Sequence, residues 1–417
     1  MQQYLVDSTK DTSVRDFQVR DNLITILKNR FSTYGYKQVR TTTFEYYDLY
    51  AAMTGTINKD EMLKVIDSSG KVLVLRPDVT IPITRMIASN KQRLSWGSRF
   101  FYVLDVFRQS AEQADNKETT QAGIESFGES TPENDAEVIA LAIHTLKDLG
   151  FESFKLEVGH AGFFKELVNQ LSLAQSELDQ LKRLIQSKNL TEIEPFLNNL
   201  SVDKNIRDAV QEIPLLYGDP DHVIRRADKI ALNEQMQQKI KNLSDIYEVL
   251  KAYGVEDSIV FDLGLINNMN YYSGVIFQGF VASFGKPVLM GGRYDHLAEQ
   301  FDTSIPAIGF ASEVDNLLDA MTQRNLLAND STSVDMIICY ERFKQKEALL
   351  TANKLREAGY RIITYTMDSD CNNPDLNSAC AIYFQTEENL VIDRWRKTAF
   401  TNYDELTLLL QEGMRDN

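Results

Sequence analysis

The sequence predicts an α+β protein: an antiparallel sheet core split by a helical insertion, followed by a small C-terminal α/β domain. Three observations carry this reading. Runs of β-branched and aromatic residues recur between Val39 and Val158 and again from Ile259. From about residue 163 to 253 those runs stop, and Gln, Asn, Leu and Lys recur with helical period. From Val334 onward, strand and helix patterns mix within fewer than ninety residues. Because strands resume at Ile259, residues 1–325 read as one interrupted domain and 331–417 as a second, with the polar linker Asn329–Ser333 between them.

Taken in order, Arg15 to Tyr34 set Phe17, Ile24, Leu27, Phe31 and Tyr34 at helical spacing, with Gly35 as the stop. Val39–Tyr46 is β-rich and passes through Asp48-Leu49-Tyr50 into a loop. Lys64–Asp67 and Val72–Leu75 flank Ser68-Ser69-Gly70, a hairpin with a glycine turn. Arg76-Pro77-Asp78-Val79-Thr80 ends that strand, and Pro82 sits in the first turn of a helix carrying Ile83, Met86 and Ile87 on one face. Phe100–Phe107 is a strand ending in Arg108, Gln109–Thr119 a polar loop, and Gln121–Phe127 the returning strand. Glu133–Leu149 is an amphipathic helix and Phe154–Val158 a strand. Beyond the insertion, Ile259–Phe261 and Val275–Phe277 are strands, Met290–Asp295 reads as a glycine turn, and a helix begins near Glu313. The last domain reads strand (Val334–Tyr340), helix (Phe343–Ala358), three strands (Tyr360–Thr366, Ala379–Phe384, Leu390–Asp393) and helix (Tyr403–Leu410).

Composition narrows the function. A 43% hydrophobic and 25% charged chain is ordinary for a soluble globular protein, but a net charge of −16 is not what grips phosphate backbones. Residues 331–417 alone hold ten Lys and Arg against fourteen Asp and Glu, which argues against nucleic-acid recognition there too. Three cysteines, Cys339, Cys371 and Cys380, form neither an even framework nor a C-x-x-C pair, so they read as reduced thiols in a cytoplasmic protein. The first residues, MQQYLVDSTKDTS, lack the basic-then-apolar order of a signal peptide and no run of about 18 apolar residues occurs, so a soluble protein with no membrane role is expected. His144, His160, His222 and His296 lack metal-ligand spacing, and neither metal nor cofactor is expected.

Four pieces share one theme, polar groups at strand ends. They are Asp78 and Thr80, Arg108, the pair Gln121 and Glu125, and Tyr271 with Tyr272. Gln121, Gly123 and Glu125 alternate by two and face one side of a sheet. That face is an acceptor-rich floor for an ammonium or imidazolium, and Arg108 supplies the opposite pole for a carboxylate. An amino acid has those two ends. Plainer readings stand beside this one: Asp78 caps the next helix, Glu125 pairs with Arg108, Arg293 braces a turn, and one of two alternating tyrosines is core.

These pieces resemble histidyl-tRNA synthetase over residues 10 to 320. Arg15-Asp16-Phe17, Tyr34-Gly35-Tyr36 with Phe44-Glu45, Leu75–Thr80, Phe107-Arg108, Gln121–Glu125, Tyr271–Gly274 and Gly291–Asp295 stand in the order and spacing of its catalytic core. The resemblance implies a class II aminoacyl-tRNA synthetase-like fold, and the C-terminal domain falls where that family carries its anticodon-binding domain, of which it resembles a reduced form. Departures matter as much. Asp315-Asn316 stands where the synthetase has Glu-Arg, Asn267 where its histidine motif has arginine, and Thr42 replaces the motif 1 proline. The motif 2 loop reads QSAEQADNKETT, without arginine. Losing one preorganised charged donor costs about 10²–10³ in rate, and an arginine on a phosphoryl transition state is worth roughly 10³–10⁵.

A kept amino-acid pocket with lost ATP chemistry resembles the regulatory subunits of ATP phosphoribosyltransferase. That likeness implies a non-catalytic chain that partners the short catalytic subunit as a homodimer within a hetero-oligomer, with L-histidine as feedback effector. It further implies that Asp78, Thr80 and Gln121 hold the α-amino group, Glu125 and Tyr272 read the imidazole, Arg108 holds the carboxylate, and Tyr271 completes the wall. The rival reading is a divergent histidyl-tRNA synthetase.

Overall fold

The computed structural model describes residues 11–51, 57–89, 98–109, 117–171, 173–198, 200, 202–266, 271–326, 334–367, 380–393 and 396–415. Asn267, the middle of the motif 2 loop, the 329–333 linker and Cys371 lie outside them. Contacts divide the chain into two compact units, 1–327 and 328–417.

The first unit opens with α1 (Val14–Thr33), capped by the Ser13 hydroxyl on the Asp16 amide and burying Leu23, Leu27 and Phe31. Then come β1 (Lys37–Gln38), β2 (Phe44–Tyr46), α2 (Tyr47–Ala51), β3 (Lys64–Ile66), β4 (Val72–Leu75), α3 (Thr80–Ser89), β5 (Ser98–Phe107) and β6 (Glu118–Phe127). Asp48-Leu49-Tyr50, expected to lead from the strand into a loop, belong to a five-residue helix that buries Tyr50 completely, and residues 52–56 beyond it lie outside the described residues. Next are α4 (Pro132–Asp148), with Thr131 as N-cap and proline in its first turn, and β7 (Phe154–His160). The helical tract follows as α5 (Ala161–Val168), α6 (Gln175–Gln186), α7 (Leu190–Asn198), α8 (Lys204–Glu212), β8 (Tyr217–Gly218), α9 (Pro220–Ile230) and α10 (Glu234–Ala252). Its helices are amphipathic, but one short strand lies among them, and α10 packs on α4. β9 (Ile259–Asp262), β10 (Val275–Val281), β11 (Leu289–Arg293), β12 (Ala307–Glu313) and α11 (Val314–Gln323) complete the unit.

Nine strands form one sheet in the order β1-β5-β6-β12-β11-β10-β7-β9-β8, antiparallel except for the β1–β5 and β7–β9 pairs. A second, three-stranded sheet is ordered β2-β4-β3. Alternation along β5 and β6 splits two cores across the large sheet. Phe101, Ala122 and Ile124 join α1, α4 and the insertion, whereas Tyr102, Val106 and Phe127 join Val79, Ile81 and Tyr294 on the other face.

Of the expected glycine turn at Met290–Asp295, Met290–Arg293 lie instead within β11, and only Tyr294 and Asp295 follow the strand. Gly291 and Gly292 pair with Phe310 and Gly309 of β12, and with Phe277 and Ile276 of β10. A Cβ on Gly292 would lie 2.9 Å from Tyr272 Cδ1, so this glycine serves close packing rather than a turn.

The second unit contains β13 (Met336–Tyr340), α12 (Gln345–Glu357), β14 (Ile362–Thr366), β15 (Cys380–Phe384), β16 (Asn389–Asp393), β17 (Arg396–Phe400) and α13 (Tyr403–Arg415). Its sheet runs β14-β13-β15-β16-β17, with the first three parallel. Strand β17 is an element the sequence reading missed, because its charged and exposed residues carry no buried alternation.

Candidate functional site

On the Tyr102 face of the large sheet lies a cavity of about 370 Å³, in the range of small-molecule sites. Asp78, Thr80, Arg108, Gln121, Glu125, Tyr271 and Tyr272 all line it. Tyr102, Tyr294, Gly309 and Glu313 join them on the walls, and Lys286, Met290 and Asn316 extend it outward.

Glu125 occupies the closed end, 2% exposed. Its Oε1 accepts the Thr80 hydroxyl at 2.6 Å, and its Oε2 accepts the Tyr294 hydroxyl. Gly309 sits directly opposite on β12, and any side chain there would collide with Oε2. Gly123 likewise faces Tyr102 across β5–β6, leaving room for its ring. Glu125 does not pair with Arg108, contrary to the plainer reading, and among the described residues no cation bonds it. Burial pushes its carboxyl up to about 8, against the pull of the two hydroxyls, and Asp78 adds to the rise.

Asp78 is buried too. Its Oδ1 accepts the Ile81 amide at 3.2 Å, so the helix-capping reading and the cavity-lining reading both hold. Burial raises it to about 7, partly offset by the Arg108 charge. The preceding Arg76, 3% exposed, gives its guanidinium to the carbonyls of Thr41, Thr42 and Asp105 and thereby fixes the turn. Arg108 donates Nε to the Pro77 carbonyl at 2.6 Å. The cavity thus carries two buried acids and one half-buried cation, Arg108, whose charge acts on Asp78.

Tyr271 and Tyr272 precede β10 rather than lying in a strand, so the period-2 argument that sends one of them to the core fails. Their rings sit 4.7 Å apart at 42°, and both line the cavity. Burial lifts the Tyr272 phenol to about 12 and the Tyr271 and Tyr294 phenols well above their usual value, so all three act as neutral hydroxyls. Arg293 settles as a brace: its Nε meets Asp135 Oδ1 at 2.8 Å and its Nη1 meets Asp295 Oδ1 at 2.9 Å. Sequence reading missed Tyr102 and Tyr294. Tyr102 lies six residues before Arg108, at matching strand parity, which is the signal that would have found it.

Two of the positions that depart from the synthetase, Asp315 and Asn316 in α11, are satisfied internally. Asn316 donates to Glu313 Oε2 at 2.8 Å, and Asp315 pairs with Arg20 of α1 at 2.6 Å. The outer wall thus presents a carboxylate-bound amide. Lys286, the cation there, is exposed and lies 5.6 Å from the Phe284 ring centroid.

Fold and cavity together define a class II synthetase-like protein. A family model described as histidyl-tRNA synthetase matches residues 8–317. Histidyl-tRNA synthetase from Nostoc sp. PCC 7120 superposes with a TM-score of 0.84 at 14% identity over 100% of both chains, a likeness of fold alone. A structure described as an ATP phosphoribosyltransferase regulatory subunit/histidyl-tRNA synthetase from Bacillus halodurans C gives 0.83 at 28% identity, covering 92% of this chain and 99% of that one. The ATP phosphoribosyltransferase regulatory subunit of Oceanobacillus iheyensis is 49% identical over 85% of this chain and 86% of its own. That of Acetivibrio thermocellus is 33% identical over 90% and 88%. The chain belongs to the family of ATP phosphoribosyltransferase regulatory subunits, built on the histidyl-tRNA synthetase-like fold.

The raised carboxyls make any cationic ligand proton-linked. The empty cavity holds protons on Asp78 and Glu125 below about pH 7 and 8, and an ammonium favours their ionised forms. Affinity for such a ligand therefore rises between about pH 6 and 8, by roughly up to tenfold per pH unit for each carboxyl that must ionise. Calorimetry at pH 7 in buffers of different ionisation enthalpy should show net proton release, and a flat affinity with no release would contradict the assignment. For the ligand-free fold the sign is opposite. Folded values above the unfolded ~4 mean that stability falls as pH climbs from about 4 toward 8.

Proposed function

We propose that this chain is a non-catalytic, histidine-sensing subunit that binds and activates a short catalytic ATP phosphoribosyltransferase and relays histidine feedback to it. One observation carries the reading: an amino-acid-sized cavity lined by two buried acids and Arg108 ends on a carboxyl that no cation among the described residues neutralises, while Asn316, also on its lining, turns back onto Glu313. Asp78, Thr80 and Gln121 take the α-amino group, Glu125 and Tyr272 the imidazole, Arg108 the carboxylate, and Tyr271 closes the wall. Charge-assisted contacts of about 1.5–3 kcal/mol each make micromolar binding attainable with a few of them. Feedback then needs a coupling of only roughly 1–3 kcal/mol to the partner's active site. The assembly is a hetero-oligomer around a homodimer of this chain.

The test is direct. The purified chain should bind histidine calorimetrically, co-purify with a short phosphoribosyltransferase chain, and make that enzyme's activity histidine-sensitive. It should not catalyse histidine-dependent exchange of pyrophosphate into ATP, and such exchange would make the chain a divergent synthetase instead.

A further inference from the structure

The α6–α7 turn of the insertion carries an oddity. Lys188 follows the Ser187 C-cap of α6 with φ +52°, a left-handed position that favours glycine. Its side chain accounts for the choice of residue. Nζ reaches Asp262 Oδ2 at 3.0 Å and lies 3.9 Å over the Tyr217 ring. Asp262 is buried at the end of β9, and its other oxygen accepts the Gly264 amide at 2.8 Å. Two neighbouring bonds hold the same stretch: Leu263 donates its amide to the Leu216 carbonyl at 3.0 Å, and Gln186 Nε2 donates to the Ile266 carbonyl at 2.6 Å. Every partner on the far side, Gln186, Lys188, Leu216 and Tyr217, belongs to the insertion.

The stretch so held leads to the cavity wall, because Tyr271 comes five positions after Ile266. On the other side of the tyrosines, Ser273 donates its amide to the Arg293 carbonyl at 2.8 Å. The Gly274 carbonyl accepts the amide of Ala161, the first residue of α5. The tyrosine pair is thus anchored on both flanks, and each flank bonds to an insertion helix or the turn after it.

We propose that the helical insertion sets the cavity's affinity, with Lys188 and Gln186 as positioning residues that act on Tyr271 and Tyr272 through Asp262–Ile266. This rests on the histidine reading above. Neither residue lines the cavity, so their effect is indirect, and linkage makes it reciprocal: ligand in the cavity must stabilise the insertion's grip by the same factor.

Lys188→Gly separates this from a purely structural role. Glycine suits the left-handed backbone, so the fold is kept, yet the tether to Asp262 is lost. Expected are histidine binding weakened about fivefold or more, the low end of ordinary coupling between sites, and recovery in Lys188→Arg. Gln186→Ala should shift affinity in the same direction. Hydrogen exchange supplies the second readout, with histidine slowing the Leu263 and Gly264 amides in the wild-type chain and much less in Lys188→Gly. Wild-type affinity in both Lys188→Gly and Gln186→Ala, with unchanged protection, would overturn the inference. No histidine binding by the wild-type chain would instead overturn the function proposed above, and this inference with it.

Discussion

Glu125→Gln should weaken histidine binding by about 10- to 100-fold while leaving the protein folded and able to assemble. The magnitude follows from charge. An ionised Glu125 gives an imidazole or ammonium a charge-assisted bond worth about 1.5–3 kcal/mol, and the amide gives a neutral bond plus a misdirected NH₂ group. The retained fold follows from the same burial that raises the carboxyl to about 8. In the empty protein this side chain is already neutral at physiological pH, so the amide replaces a neutral group of its own shape. The Thr80 and Tyr294 hydroxyls keep one oxygen acceptor between them. Affinity and stability should therefore separate, with calorimetry showing the loss and thermal unfolding little change. Glu125→Ala should abolish histidine inhibition of the assembled enzyme as well, at a greater cost in packing. Unchanged inhibition in both variants would place the effector elsewhere.

What could be read from the chain, and what could not, divides along the range of the interactions. The strand Gln121–Phe127 and the helix Glu133–Leu149 were legible because strand alternation and helical period are local signals. The seven cavity residues were legible because strand parity and motif order put Gln121 and Glu125 on one face and Asp78 and Arg108 at strand ends. Gly291-Gly292 misled because a glycine pair reads locally as a turn. Its actual reason is cross-strand crowding by Tyr272 and Phe277, which only the register of three strands reveals. The Arg20–Asp315 pair spans nearly the length of the first unit and has no local signature. The two-residue strand β8 is too short for any period, yet it joins the insertion to the sheet beside Asp262.

Arg293→Met should cost about 3–5 kcal/mol of stability, because it strands a buried carboxylate. Asp135 lies in the first turn of α4, with a side chain 3% exposed, and Arg293 at 5% gives it both Nε and Nη2. Desolvation already pushes the Asp135 carboxyl upward against that pairing, so the arginine is what makes an ionised group tolerable there. Urea unfolding followed by circular dichroism should show the loss, and the double variant Asp135→Asn/Arg293→Met should regain much of it, since an absent pair costs far less than half a pair. The same variant tests the cavity at a distance. Gly274 packs so closely on Arg293 that an added Cβ would lie 2.9 Å from its Cδ, and the Arg293 carbonyl holds Ser273. Losing the guanidinium releases Asp295, whose amide bonds the Ser273 hydroxyl, and so loosens the ground beneath Tyr272, and histidine affinity should fall even in the restabilised double variant. If the double variant regained both stability and full affinity, Arg293 would brace the fold alone, and the placement of the tyrosines would depend on the insertion side instead.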